Sequence, residues 1–296
     1  MLTSLAPLLR DARDGGYAVG TFTVFNMETA RGIFEALEAE GVPAGVAVTR
    51  RMTPYMDFEG LAAYLRVRAE RLASPVAIHL DHATDLELVE RALDAGFTSV
   101  QFDGVGLALP DKIRTTRVAV ALAERYGATV EAELDHIGRI GVEDNGGLTE
   151  PHEAATFVAE TGIDILAVSV GTSHGLGQGE ARIDIDLVRR IREVTPAFLA
   201  LHGGTGAQPS QITAAIAAGI TKISYFHGMA HDALDVLRAA SPETPHGMLA
   251  TLLDESLRPT FRDRCRTMIR TFGGPGRPPM ASADPFPGHP ESEDRP

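Results

Sequence analysis

The chain has 296 residues and a formal net charge of −13, and that acidity opposes non-specific attachment to nucleic acid, whose phosphates it would repel. Hydrophobic residues make up 44% of it, enough to bury a large core. A single cysteine, Cys265, read as a helix residue without a role, excludes an internal disulfide and fits a reducing cytoplasm; no apolar run is long enough to span a bilayer.

From the N-terminus, Met1–Arg13 alternates Leu and Ala with charges like a short amphipathic helix, without the charged-then-apolar order of a signal peptide. Strand-like runs then alternate with amphipathic segments. Strands are expected at Ala18–Phe25, Ala44–Val48, Val76–His79, Ser99–Phe102, Thr129–Leu134, Ile165–Val170, Phe198–His202 and Thr221–Ser224. Helices are expected at Glu28–Glu40, Leu61–Leu72, Leu86–Ala95, Lys112–Tyr126, Pro151–Glu160, Ile185–Glu193 and Ser210–Ala218, where apolar residues return every three or four positions. Gly41, Gly96, Gly127, Gly162 and Gly219 each follow a helix, where a left-handed terminal residue is wanted. Single helices between strands imply parallel pairing, and eight such units imply closure into a (β/α)₈ TIM barrel over residues 1–272. Extra C-terminal helices are expected at His227–Arg238 and Gly247–Arg270. The stretch 273–296, rich in Pro, Gly and acidic residues, reads as a disordered tail.

In such a barrel functional side chains gather at the C-terminal ends of the strands. His79, Asp81 and His82 fall at the end of the third strand and Asp103 at the end of the fourth. The fifth carries Glu131 and Glu133, His174 follows the sixth, and His202 ends the seventh. His82, His174 and His202, from three strand ends, suit an open zinc site, because neutral imidazoles bind the ion and leave a position for substrate. His79 lies deeper and reads as a hydrogen-bonded core residue. The glycine clusters that include Gly175, Gly203 and Gly204, with Thr205, offer backbone N–H groups that either cradle a phosphate or simply make tight turns.

The motifs HLDH at 79–82, DAGFTSVQFDG at 94–104, VEAEL at 130–134, VGTSHG at 170–175 and LHGGTG at 201–206 resemble those of the class II, metal-dependent fructose-bisphosphate and tagatose-bisphosphate aldolases. The likeness runs from Tyr17–Asn26 and fades after Gly276. It implies one zinc ion per chain on His82, His174 and His202, with Asp81 as the acid/base beside it. It also implies Asp103 and Glu133 at a second or alternate cation position, and Glu143 on a mobile loop, moving the proton at the nucleophilic carbon. The implied reaction is reversible aldol cleavage of a ketose, with a dihydroxyacetone-phosphate-type donor half and an enediolate stabilised by the metal. A cytoplasmic homodimer or larger homo-oligomer, binding neither nucleic acid nor membrane, completes the expectation.

The chain departs from that family where substrate is held. Ser224 stands where an asparagine is usual and His227 where a phosphate-contacting threonine is usual, in the stretch Ser224-Tyr225-Phe226-His227. Thr23 replaces an asparagine on the first strand, and Asp135 begins a longer loop after the fifth. Retained metal and proton carriers beside altered substrate contacts suggest a substrate other than fructose 1,6-bisphosphate. Arg50 and Arg51 are candidates for an acidic group on the acceptor half. Three rivals stand beside this reading. One is a Schiff-base aldolase through Lys222, the lysine that falls on a strand. Another is metal-dependent aldol, epimerase or decarboxylase chemistry on a non-phosphorylated substrate. The third is a silent metal-binding homologue.

Overall fold

The computed structural model describes residues 1–134, 147–172, 182–239 and 248–281. Among them, eight parallel strands close into a barrel in chain order, with the last pairing back onto the first. They are β1 (Val19–Thr23), β2 (Ala44–Thr49), β3 (Val76–Ala83), β4 (Ser99–Phe102), β5 (Thr129–Glu133), β6 (Ile165–Val168), β7 (Phe198–Leu201) and β8 (Ile220–Tyr225). The helices are α1 (Leu5–Gly15), α2 (Met27–Glu40), α3 (Phe58–Arg71), α4 (Leu86–Asp94), α5 (Leu109–Glu124), α6 (Pro151–Thr161), α7 (Ile185–Val194), α8 (Pro209–Ala218), α9 (His227–Ala239) and α10 (Leu249–Phe272). The fold is the expected (β/α)₈ barrel with extra C-terminal helices.

Strand alternation divides the buried side chains into two sets. One set, including Val46, Ile78, Val100, Leu166 and Leu199, faces the helices and makes the main apolar core. The other faces the barrel axis and is layered. At the N-terminal mouth, α1 inserts Leu5, Leu8, Leu9 and Ala12 against Val19, Ala77, Ile165 and Ala200. The Ala6 amide donates to Thr129 Oγ1 at 2.9 Å, which ties the first turn of α1 to β5. The amphipathic N-terminal segment therefore plugs the bottom of the barrel. Above the plug the axis is polar, with His79, Ser99, Glu131 and Lys222 all fully buried.

Local chemistry sets the helix ends. Asn26 caps α2 through the Thr29 amide at 3.0 Å, and the Thr29 hydroxyl accepts from the Asn26 amide, so two orphan donors are satisfied together. Gly41 closes the same helix at φ 64°, where a side chain would be strained. Helix α10 lies along α2, and Gly32 makes that approach possible: a Cβ there would stand 2.3 Å from the Arg258 carbonyl oxygen. Flanking ion pairs hold the register, with Arg31–Asp254 at 2.6 Å and both Arg266 and Arg270 on Glu40 at 2.9 Å. Burial pushes the Glu40 carboxyl up, but the hydrogen bonds from those two guanidiniums outweigh it and hold the group below its ordinary range. A Gly32→Ala substitution gains about 1 kcal/mol of helix propensity. It also forces backbone apart, an overpacking cost of about 1–3 kcal/mol in most cores and at the upper end against a carbonyl. We expect a net loss of about 2 kcal/mol, read as a lower urea midpoint at unchanged slope; an unchanged midpoint would show that the helices separate freely.

The expected tail differs at its start. Gly274 pairs with Arg277, the Met280 amide reaches the Arg270 carbonyl at 3.3 Å, and the Arg277 guanidinium donates to the Glu40 carbonyl at 3.0 Å. Positive φ at Gly273 and Gly276 permits this reversal, so residues 273–281 are stitched to α10 and α2. Residues 282–296 lie outside the described set. No helix among the described residues is long and apolar enough to cross a membrane.

Candidate active site

The C-terminal mouth of the barrel opens into a pocket lined by the ends of β1, β2, β3, β7 and β8. Strand β3 continues past the expected stop at His79 and carries Asp81 and His82 itself. Its pairing with β4 slips between Leu80 and Ala83, and His82 takes a left-handed backbone at φ 59°. A non-glycine residue in that region costs of order 1 kcal/mol or more and persists where its surroundings fix it. Gln101 does the fixing, accepting from the His82 amide at 3.0 Å. This bulge turns the ring of His82 toward Asp81 and Asp103.

Three donor residues meet there. Single ligand atoms of Asp81, His82 and His202 all lie within 4.8 Å of one another, and the two imidazole centroids stand 5.0 Å apart. A second group of the same size unites His82 with Asp103 and Glu133, so His82 belongs to both. His82 Nδ1 meets Asp103 Oδ2 at 3.0 Å, and its Nε2 lies 3.9 Å from Asp81 Oδ2. His202 Nε2 meets Glu131 Oε1 at 2.7 Å, which leaves the ligand role to Nδ1. Asp81 Oδ1 and Asp103 Oδ1 are buried and accept no hydrogen bond from the described residues. Orphaned carboxylate oxygens beside two carboxylate-oriented imidazoles are a donor set that fits a divalent ion such as zinc.

The electrostatics follow from burial and crowding. Burial pushes Asp81 up, yet His82, His202, His79 and Lys222 outweigh it and hold the carboxyl below its ordinary value, so it is ionised at neutral pH. Burial pulls His82 down, and Asp81, the Asp103 hydrogen bond and Glu133 reverse this to about 9. His79 is driven down to about 3 by burial and Lys222, so it is a neutral core imidazole, bonded through Nδ1 to Ser99 Oγ at 2.9 Å.

Beneath the cluster, Lys222 Nζ lies 2.6 Å from Glu131 Oε2 and donates to Ser224 Oγ at 2.9 Å. This amine is fully buried and pinned by a carboxylate, an arrangement that opposes Schiff-base chemistry, which needs a neutral amine within reach of a ketone. The Glu131–Lys222 pair is what sequence reading missed. The signal was alternation: Glu131 shares the inward face of Glu133, and Lys222 that of Ser224.

Thr23, Gly203, Thr205, Ser224, Phe226 and His227 all line the pocket. Gly204 sits behind them, starting a short 3-10 turn. Phe25 and Phe226 pack nearly perpendicular with centroids 6.3 Å apart, and the Thr172 hydroxyl donates to the His202 carbonyl at 2.7 Å. Burial and nearby Arg51 lower the His227 imidazole below its ordinary value. Thr49, Arg51 and Met52 also line the pocket, and of these only Arg51 was singled out from sequence. Glu143, His174 and Gly175 lie outside the described residues.

Comparison with known proteins identifies the family. The family model described as fructose-bisphosphate aldolase class-II covers residues 3–277. The chain is 36% identical over 230 residues to a 6-phospho-5-dehydro-2-deoxy-D-gluconate aldolase of Halalkalibacterium halodurans, covering 75% of this chain and 79% of that protein. It is 37% identical over 231 residues to a fructose-bisphosphate aldolase of Geobacillus stearothermophilus, covering 75% and 80%. The crystal structure of the YdjI aldolase from Escherichia coli K12 superposes with a TM-score of 0.83 at 29% identity, covering 93% of this chain and 99% of that one. This chain, then, belongs to the class II fructose-bisphosphate aldolase family and is an aldolase, a carbon–carbon lyase.

Proposed function

We propose that the protein is a zinc-dependent aldolase that reversibly cleaves a ketose phosphate other than fructose 1,6-bisphosphate. The observation that carries this is the convergence of ionised Asp81 with His82 and His202 at the floor of one pocket. His82 and His202 would hold the ion, with His174 as the third ligand that the resemblance supplies; Asp103 and Glu133 beside His82 suit an alternate cation position. Zinc bound there supplies a Lewis acid for the ketone oxygen.

The remaining steps belong to the chain. Asp81 takes the proton of the hydroxyl next to the bond that breaks; the carbon–carbon electron pair stays on the donor half, and the other half leaves as an aldehyde. Glu143 returns a proton to the donor carbon. Glu131 orients His202, and Asp103 orients His82, so that neither imidazole needs to reorganise during the reaction. Ser224, His227, Thr205 and Gly203, with Thr23, Phe226, Gly204 and Gly175, form the donor-side contacts. Ser224 and His227 differ from the family's usual residues, which supports a changed substrate.

The test is metal content with activity. We expect near one zinc per chain, loss of dihydroxyacetone phosphate release on EDTA treatment, and its return with Zn²⁺, over a panel that includes fructose and tagatose bisphosphates. Turnover unaffected by EDTA would end the zinc reading. A homodimer or larger oligomer in the cytoplasm belongs to the same proposal, and light scattering checks the oligomer.

A further inference from the structure

Two consecutive residues of one strand, Asp81 and His82, both enter the donor cluster at the barrel mouth. A regular strand forbids this, because neighbouring side chains point to opposite faces. The pairing of β3 with β4 resolves the conflict. Leu80 pairs with Val100 and Ala83 with Phe102, so Asp81 and His82 together stand opposite the single residue Gln101. The extra residue resets the alternation. Leu80 packs in the main apolar core, Asp81 and His82 both line the pocket, and Ala83 returns to the core with Phe102. The ladder then resumes, with the Asp103 amide donating to the Ala83 carbonyl at 2.8 Å.

A bulge of this kind disrupts the ladder and leaves its extra residue unpaired. The amide of His82 takes the side chain of Gln101 instead, donating to Oε1 at 3.0 Å. Gln101 is fully buried, and this is the one hydrogen bond its side chain makes among the described residues, since Nε2 has no acceptor. An apolar side chain would fill the same space without that orphaned donor, so the task left to the amide is to hold the backbone of His82. Asp103 acts elsewhere, on the ring, through Nδ1 at 3.0 Å.

We propose that Gln101 is a positioning residue for the metal: by accepting from the His82 amide it holds the β3 bulge, and so keeps the ligand His82 on the same face as the base Asp81. This rests on the zinc reading above. Without the acceptor, His82 leaves its left-handed conformation, which its surroundings alone sustain. The strand then relaxes toward regular alternation, in which residue 82 faces the helices and residue 81 still faces the axis. The imidazole is withdrawn from both donor groups, although Gln101 itself touches neither metal nor substrate.

The test compares Gln101→Met and Gln101→Glu with the wild type. Methionine is unbranched and fills the space without the acceptor, whereas glutamate keeps an oxygen toward the His82 amide. We expect Gln101→Met to bind zinc about ten- to a hundredfold more weakly in competition with a chromogenic chelator, the range for partners that orient a metal ligand. The visible absorption bands of its Co²⁺-loaded form should move, because they report coordination geometry. Gln101→Glu should bind zinc at least as tightly as the wild type and keep the wild-type bands. A residue serving stability alone would lower the Tm of Gln101→Met and leave affinity and bands unchanged, and that result overturns the proposal. Equal weakening in both variants overturns it too, since the oxygen would then not be the cause. Should Gln101→Met not fold, Gln101→Asn, which keeps the amide but withdraws its oxygen by one methylene, is read by the same two measurements. If the wild type binds neither Zn²⁺ nor Co²⁺, the zinc reading fails by itself, and a crystal structure of the variant decides the glutamine. His82 out of the left-handed region then supports the bulge-holding role; His82 unmoved overturns it.

Discussion

Asp81→Ala is expected to keep its zinc and lose turnover by about a thousandfold, within the range measured for positioned acid/base groups. His82→Ala is expected to lose both. The two residues are adjacent in sequence and lie within one donor cluster, so the contrast rests on chemistry rather than place. His82 stands in both donor groups, beside Asp103 and Glu133 as well as beside Asp81 and His202, so its removal takes a nitrogen ligand from each. Asp81 has one orphaned oxygen and a carboxyl held ionised by the surrounding imidazoles and Lys222, which suits it to carry a proton. Metal analysis and turnover on the same preparations decide the matter. Full zinc in His82→Ala would remove it from the ligand set, and Asp81→Ala turning over within tenfold of wild type would move the base elsewhere.

Much of this architecture was legible in the sequence because a parallel barrel is written in a simple repeat. Strand cores such as Ile165–Val168 are buried on both faces and read as unbroken apolar runs, and glycines such as Gly41 and Gly162 mark helix ends by the backbone they must adopt. The end of β3 was harder. Leu80-Asp81-His82-Ala83 puts charge into a strand, so periodicity stops at His79, while the real strand continues through a bulge that only pairing with β4 and the Gln101 contact can sustain. Arg50 and Arg51 were both candidates in the sequence, but which of them lines the pocket was not legible, since a six-residue 3-10 turn has no periodicity to orient its side chains. Residues 273–281 failed for a different reason: their attachment is to Glu40, more than two hundred positions away, and composition carries no trace of it.

The inner polar layer was visible only as parity, and it makes the largest stability prediction. Lys222 and Glu131 are both fully buried, 2.6 Å apart. Such a pair adds little net stability compared with a well-packed apolar replacement, because two charges were desolvated to make it, but removing one partner strands the other. Lys222→Met should therefore destabilise the protein by about 3–5 kcal/mol, with Glu131 left to ionise alone or to take up a proton. Glu131→Gln should cost less, since an amide oxygen can still accept from the ammonium, and it should also weaken zinc binding by about ten- to a hundredfold through its contact with His202. The double variant separates pair from parts. Coupling of about 1–3 kcal/mol in a double-mutant cycle is expected for residues in direct contact. If the two losses simply add, Lys222 and Glu131 act as independent buried charges despite their 2.6 Å separation.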